Sequence, residues 1–256
     1  MTLPDSPELS LMLCRLARDA GDLIMGFYDR QIIARAKADA SPVTDADEAA
    51  ERLIVEGLRS LAPDIPIVAE ESFAAGNAPD IGGGPFWLVD PLDGTKEFIN
   101  RNGEFTVNIA LIRDGEPVEG VVLAPALPVI YFTRGGDAYM AEGDEEPRLI
   151  RADNGDRGIV AVVSRSHYSA ETDDFLKQFE IVRERAAGSS LKFGLIASGA
   201  ANLYPRLGRT MEWDTAAGDA VVRAAGGSVR TLDNEPLAYG KPGFENPPFV
   251  VRGRGS

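Results

Sequence analysis

Trp87-Leu88-Val89-Asp90-Pro91-Leu92-Asp93-Gly94-Thr95 is the stretch whose reading decides this chain. An apolar run ends in a carboxylate, turns at a proline, presents a second carboxylate three residues later and reaches Gly-Thr. Two carboxylates at the end of a buried strand are costly unless a cation joins them. The stretch contains no histidine or cysteine, and oxygen-only ligation favours a hard ion, Mg²⁺ or Mn²⁺. The Gly-Thr step can open a helix whose unpaired N–H groups hold a phosphate. A plainer reading is a β-turn with an aspartate N-cap. The segment by itself leaves both open.

Other acids sit at comparable places. Glu70-Glu71 ends the preceding strand pattern, and adjacent acids there are commonly just solvated. Asp214, after Trp213, can simply cap a helix beginning at Thr215, and Asp45 or Asp47 can cap an earlier one. Taken together they place carboxylates at strand ends and helix starts in both halves of the chain, which suits a cleft between two subdomains.

Periodicity supplies the surroundings. Leu9, Leu13, Leu16, Ala17, Ala20, Leu23, Ile24 and Phe27 recur at spacings of three and four, which predicts an amphipathic helix over residues 7–28. A second helix is expected over 47–61, closed by Pro63 and Pro66. Strand patterns follow at 67–70, 86–90, 105–112, 118–123, 129–133 and 138–141, with Arg113-Asp114-Gly115-Glu116 and Gly135-Gly136 as hairpin turns. The second half alternates: strands at 159–164 and 181–185, helices at 169–179, 191–198 and 214–225, the last ended by Gly226-Gly227. The fold class is therefore α/β, with an α+β N-terminal half and an α/β C-terminal half. The expected subdomains are 1–155 and 156–256, meeting in the polar stretch 153–157.

Composition narrows the function classes. The chain has 256 residues, enough for one large domain or two small ones sharing an interface. A formal charge of −14, with scattered basic residues, argues against nucleic acid and anionic lipid as partners. No apolar run approaches the roughly 18 residues that span a bilayer. Pro4, Asp5 and Glu8 give no basic region of a secretory signal. The single cysteine, Cys14, excludes intrachain disulfides and cysteine zinc clusters, and carries no assigned function. A cytoplasmic protein is expected. An acidic protein acting on a phosphate ester must reverse the local field with cationic groups or bound metal.

Three separated segments, Ala69-Glu70-Glu71-Ser72, the Trp87–Thr95 stretch and Glu212-Trp213-Asp214-Thr215-Ala216-Ala217-Gly218, resemble the inositol monophosphatase superfamily of lithium-sensitive, magnesium-dependent phosphatases. They occur in the family's order and cover nearly the whole chain. Several features further resemble the CysQ-type 3′(2′),5′-bisphosphate nucleotidases: Lys96-Glu97-Phe98 after Thr95, Val163-Ser164-Arg165-Ser166-His167, Gly188-Ser189-Ser190-Leu191-Lys192-Phe193, Ala201-Asn202-Leu203-Tyr204-Pro205-Arg206 and Phe244-Glu245-Asn246-Pro247-Pro248-Phe249.

The resemblance implies a layered αβαβα sandwich of the inositol monophosphatase and fructose-1,6-bisphosphatase type. It implies metal ligation by Glu70, Asp90, Asp93 and Asp214 with the backbone carbonyl of Leu92, for two or three Mg²⁺ ions, Mn²⁺ being able to substitute. Asp90 would bridge two ions, and Glu70 counts among the catalytic residues. Asp47 and Thr95 match the pair that orients and deprotonates the attacking water. Substrate contacts are expected from Gly94, Thr95, His167, Ser190, Lys192 and Asp214, with Lys192 on the 5′-phosphate and His167 on the second phosphate or the ribose. The implied reaction removes the 3′-phosphate of adenosine 3′,5′-bisphosphate to give AMP, in sulfur assimilation. Rivals are an inositol phosphate or sugar bisphosphate phosphatase of the same superfamily, and a non-catalytic nucleotide- or metal-binding protein. A phosphorylated nucleotide is the expected small-molecule partner. Monomer and homodimer are both compatible, as is peripheral association with the inner face of the membrane.

Overall fold

The computed structural model describes residues 3–4, 6–29, 34–36, 42–166 and 168–255. The three-and-four spacing becomes α1 (Ser6–Tyr28), which buries Leu9, Leu13, Ala17, Ala20 and Ile24. A short hairpin of β1 (Ala34–Ala36) and β2 (Pro42–Thr44) leads into α2 (Asp45–Leu61). Thr44, rather than Asp45 or Asp47, caps α2: its hydroxyl accepts from the Ala46 N–H at 3.2 Å. Asp47 returns the favour, accepting from the Thr44 N–H at 2.8 Å and the Thr44 hydroxyl at 2.5 Å. This reciprocal box satisfies first-turn groups and locks the Asp47 rotamer.

A seven-stranded sheet follows, made of β3 (Ile67–Ala69), β4 (Phe86–Asp93), β5 (Thr106–Arg113), β6 (Glu116–Ala124), β7 (Val129–Arg134), β8 (Asp137–Glu142) and β9 (Arg148–Leu149), in sequential order. Only the β3–β4 pair is parallel. Period-two alternation sorts its side chains between two cores. Trp87, Val89, Ile109 and Leu111 pack with α1 and α2, whereas Phe86, Leu88, Ala110 and Ile112 face the opposite way. Trp87 and Phe98 are core residues, as their surroundings predict.

The second face is covered by α6 (Leu191–Ala197) and α7 (Glu212–Ala224). Gly120 of β6 permits that approach, since a Cβ there would lie 2.5 Å from the Ala217 carbonyl of α7. Beyond these helices lies a five-stranded sheet of β10 (Ile159–Ser164), β11 (Ile181–Ala187), β12 (Leu203–Arg206), β14 (Ser228–Thr231) and β16 (Phe249–Arg252), in the order β11-β10-β12-β16-β14. β13 (Thr210–Met211) and β15 (Glu245–Asn246) form a separate pair. The outer face of the five-stranded sheet carries α5 (Ala170–Leu176) through Leu176 against Ala161, Val163, Leu203 and Val250. The layers thus run αβαβα.

Two boundaries differ from the sequence expectation in ways that matter for the site. Glu70 does not end a strand; it opens a short helix, α3 (Glu70–Ala74). α7 begins at Glu212, two residues before Asp214, so Asp214 lies inside its first turn rather than capping it.

α7 also carries Asp219, 1% exposed, whose Oδ2 accepts from the Tyr239 hydroxyl at 2.9 Å. Its Oδ1 is buried without a hydrogen bond, 4.0 Å from Arg223 Nε. Burial pushes this carboxyl from 3.8 to about 7. Between those values the folded protein holds a proton that the unfolded chain has lost, so this group's contribution to stability falls as pH rises through the window. Asp219→Asn keeps an acceptor for Tyr239 and removes the charge. Calorimetric melting should show the variant more stable at pH 8, by at most about 4 kcal/mol, with the gain shrinking toward pH 4; a gain independent of pH would contradict this account.

Candidate active site

The deciding stretch folds as the end of β4. Pro91 has no N–H to give the ladder, and the register slips there: Asp90 pairs with Asn108, but Asp93 pairs with Thr106. That one-residue bulge puts two carboxylates three apart in sequence on the same side, where regular alternation would send them to opposite faces. The bulge is held locally by the Leu92 N–H, which donates to Asp90 Oδ1 at 3.0 Å. Gly94 then adopts φ 91°, ψ 47° and precedes α4 (Thr95–Ile99). A Cβ on Gly94 would lie 2.1 Å from Ser189 Oγ, so both conformation and space demand glycine.

Asp90, Asp93, Glu70 and Asp214 line one cleft of about 390 Å³ together with Leu92, Gly94 and Thr95. Asp90 is 1% exposed. Burial first, then the neighbouring Glu70, Asp93 and Asp214, raise its pKa well above the carboxylate range, and a hydrogen bond with Glu70 adds to this. Asp214 is raised well above that range by burial, then by Asp93 and Glu70. Asp93 is raised by burial, against the opposing charge of Lys192 and hydrogen bonds from Ser190. For Asp90 and Asp214, neighbouring carboxylates thus oppose ionisation.

Two loops pin these side chains. Asp93 Oδ2 accepts from the Ser190 N–H at 2.6 Å and the Ser190 hydroxyl at 2.8 Å, while Ser189 Oγ donates to the Asp93 carbonyl at 2.8 Å. Asp214 Oδ2 accepts from the Met211 N–H at 2.9 Å. With these engagements, no three His, Cys, Asp or Glu side chains among the described residues converge closely enough to hold a metal as placed. The donor set nevertheless fits a hard divalent cation: it is all oxygen, Asp90 at its centre is buried, and neighbouring carboxylates raise the pKa of Asp90 and Asp214.

Asp47 reaches this wall from α2, its Oδ1 accepting from Thr95 Oγ1 at 3.1 Å. Burial raises the Asp47 pKa, against hydrogen bonds from Thr44 and Thr95. Ser190 is a brace for Asp93 and for α7, its hydroxyl also lying 2.5 Å from the Asp214 carbonyl. His167 lies outside the described residues.

Lys192 is not an exposed helix residue: it is 4% exposed, and its Nζ donates to the Ser189 carbonyl at 2.5 Å and the Ala187 carbonyl at 3.3 Å. Burial lowers its pKa to about 8, although Asp93 favours the charged form. Two of its three N–H groups hold the Gly188-Ser189-Ser190 turn.

The cleft also contains groups to which the sequence assigned no role. Arg206, at the end of β12, is 8% exposed and donates from one guanidinium nitrogen to the Arg209 carbonyl at 2.8 Å. Its Nε is buried with no hydrogen-bond partner. Arg209 and Lys96 line the same cleft. Near its edge, Glu104 forms a two-pronged pair with Arg165, both contacts at 2.8 Å, and accepts from the Gly188 N–H at 2.7 Å; Ser166 donates to Glu97. Arg206 closes the 201–206 segment that carries part of the family resemblance, but no individual role followed for it from the sequence, because an arginine ending a short strand has no distinctive spacing.

The pattern of the inositol monophosphatase family matches residues 5–249. A 3′(2′),5′-bisphosphate nucleotidase CysQ of Shigella flexneri is 50% identical, over 93% of this chain and 97% of that protein. The protein of the same description from Escherichia coli K12 is 48% identical with the same coverage. Among solved structures, CysQ from Bacteroides thetaiotaomicron superposes with a TM-score of 0.80 at 36% identity, covering 98% of each chain. The Thermotoga maritima IMPase gives 0.76 at 28% identity, over 93% of this chain and 89% of that one. The match to the family pattern spans nearly the full length, and the bulged strand, the acid wall and the layers agree with it: this chain belongs to the inositol monophosphatase family.

Proposed function

We propose that this chain is a Mg²⁺-dependent 3′(2′),5′-bisphosphate nucleotidase that hydrolyses the 3′-phosphate of adenosine 3′,5′-bisphosphate to AMP and phosphate. The observation that carries the substrate class is the second charge pattern in the cleft: beside the acid wall stand two buried cations, Lys192 and Arg206, the latter with an unpartnered Nε. One scissile phosphate is served by the acid wall and its cations. A second phosphate on the same substrate fits Arg206 Nε and the third N–H of Lys192. An inositol monophosphate has no group to answer them. The nucleotidases that are 48 and 50% identical over 93% of the chain support the same reading.

Glu70, Asp90, Asp93 and Asp214, with the Leu92 carbonyl, would hold two or three Mg²⁺ ions. Bound there, Mg²⁺ lowers the pKa of water, offsets the carboxylate charge and stabilises charge on the transferring phosphoryl group. The chain's own contribution is positioning and proton handling. Thr95 Oγ1 gives its hydrogen to Asp47 Oδ1, so its lone pairs are left to accept a proton from the attacking water. Asp47 Oδ2 is already occupied by Thr44, which leaves Oδ1 as the terminus of that relay. The raised pKa of Asp47 makes it a stronger base than a solvated aspartate. Gly94, without a side chain, leaves room for the Ser189 hydroxyl, and its own part in substrate contact falls to its backbone. His167 on the substrate side belongs to the same proposal.

With this function go a division of the chain into residues 1–155 and 156–256, with the cleft between them, and a cytoplasmic location. Among the described residues no helix is long and apolar enough to cross a membrane.

Three measurements test the reading. Turnover of adenosine 3′,5′-bisphosphate should exceed that of inositol 1-phosphate by tenfold or more in kcat/KM, about 1.4 kcal/mol of transition-state discrimination; the reverse preference would sink the substrate assignment. Asp90→Asn should lower Mg²⁺-dependent kcat on the order of 10³-fold, and near-parental activity would remove Asp90 from the metal site. Arg206→Gln should raise KM for the bisphosphate by about tenfold, as loss of a charge-assisted hydrogen bond predicts, and raise KM for a simple phosphate ester far less. Equal effects on both would refute the role of Arg206.

A further inference from the structure

Helix α3 begins with a defect that another helix repairs. Its N-cap residue is Ala69, which has no side-chain acceptor, so the first N–H groups of α3 need partners from elsewhere. They find them in Glu51 of α2. Glu51 Oε2 accepts from the Glu71 N–H at 2.7 Å, and Oε1 accepts from the Ser72 N–H at 2.8 Å and the Ser72 hydroxyl at 2.6 Å. Glu51 is 5% exposed. A carboxylate is retained at such depth only when its oxygens are hydrogen-bonded, and three donors engage both of them. Negative charge at the positive end of α3 adds to the attraction.

The location of this cradle matters more than its strength. Glu51 lies one turn after Asp47 on the same face of α2, the i to i+4 relation. Asp47 is fastened to Thr95 and Glu51 to the first turn of α3, whose opening residue is Glu70. A single helix therefore spaces the base of the proposed proton relay from a proposed metal ligand.

We infer that Glu51 is a positioning residue of the reaction, setting the place of Glu70 relative to Asp47 and thereby the metal affinity of the site. The inference rests on the metal-dependent reading of the cleft. Glu51→Gln preserves size but turns an N–H₂ group toward donors, so it releases the first turn of α3 without emptying the core. Ser72→Ala removes one donor and leaves both backbone bonds, a milder change in the same direction.

The test is isothermal calorimetry of the full chain with MgCl₂ and no substrate, alongside kcat measured across Mg²⁺ concentration and melting of the metal-free protein. The parent should bind Mg²⁺. Glu51→Gln should weaken binding by about 10–100-fold, the range for residues that orient metal ligands, while kcat at saturating Mg²⁺ recovers to within about threefold of the parent. Ser72→Ala should shift Mg²⁺ binding the same way by a smaller factor, and it serves alone if Glu51→Gln does not fold. Parental Mg²⁺ affinity in a folded variant, whatever its melting temperature, would overturn the positioning role and leave the metal assignment standing. A parent chain that binds no Mg²⁺ would overturn both.

Discussion

Glu70, Asp90, Asp93 and Asp214 repel one another across one cleft wall, and much of the structure around them is arranged to keep them together. Left to electrostatics, four acids around one cleft, Asp90 buried and the others half-buried, would protonate or separate. Asp90 and Asp214 show the strain directly, in pKa values pushed well above the ordinary range. Each acid is instead held by a backbone device: the Pro91 bulge for Asp90 and Asp93, the first turn of α7 for Asp214, and the first turn of α3 for Glu70. The devices come from three elements, and each element is anchored in a hydrophobic core. The acids line one cleft without converging on a single point as placed, and a cation held among them would turn their repulsion into attraction for the ion.

The layered packing explains how such precision survives. β4 is sandwiched between α1–α2 on one face and α6–α7 on the other, so its bulged end cannot drift without disturbing two cores. α7 sits against Gly120 at backbone contact and is tied to the following loop by Glu212, which accepts from the Gly240 and Lys241 N–H groups. Ser190, from the second half of the chain, reaches back to Asp93 at the end of the same strand, and the turn that carries Ser190 is held in turn by Lys192 and by the Glu104–Arg165 pair through Gly188. The cleft is therefore braced from both sheets.

Much of this was legible in the sequence, and the pattern of what was not is physical. Helices α1 and α2 and most strands followed from periodicity, because burial of one face leaves a repeating apolar signature. The metal-type acids were legible as a set, since carboxylates at strand ends without histidine or cysteine admit few chemistries. Their precise settings were not. Thr44 outcompeted Asp45 and Asp47 as cap because Asp47 serves better at the third position of the box, where its carboxylate reaches back to Thr44. Glu70 was read as a strand terminus because the helix it opens is five residues long, too short for a periodic signal. The burial of Lys192 was not legible, because its partners are carbonyls of its own preceding turn and leave no mark in the side-chain pattern. Arg206 stood in a segment of resemblance without a role, since nothing local distinguishes a buried guanidinium from a surface one.

To bind a doubly phosphorylated small molecule, as proposed, a chain of net charge −14 could not rely on its overall field, which would repel such a ligand at long range. Attraction must be generated within a few ångströms, where it is strong and little screened. Two local sources are present in the cleft, the cation-seeking acid wall and the buried pair Lys192 and Arg206. Neither reads as a basic patch from outside, so other polyanions, including nucleic acid, meet an acidic exterior. On the proposed function, selectivity for a small phosphate ester over a large one would follow from where the charges are buried, more than from how many there are.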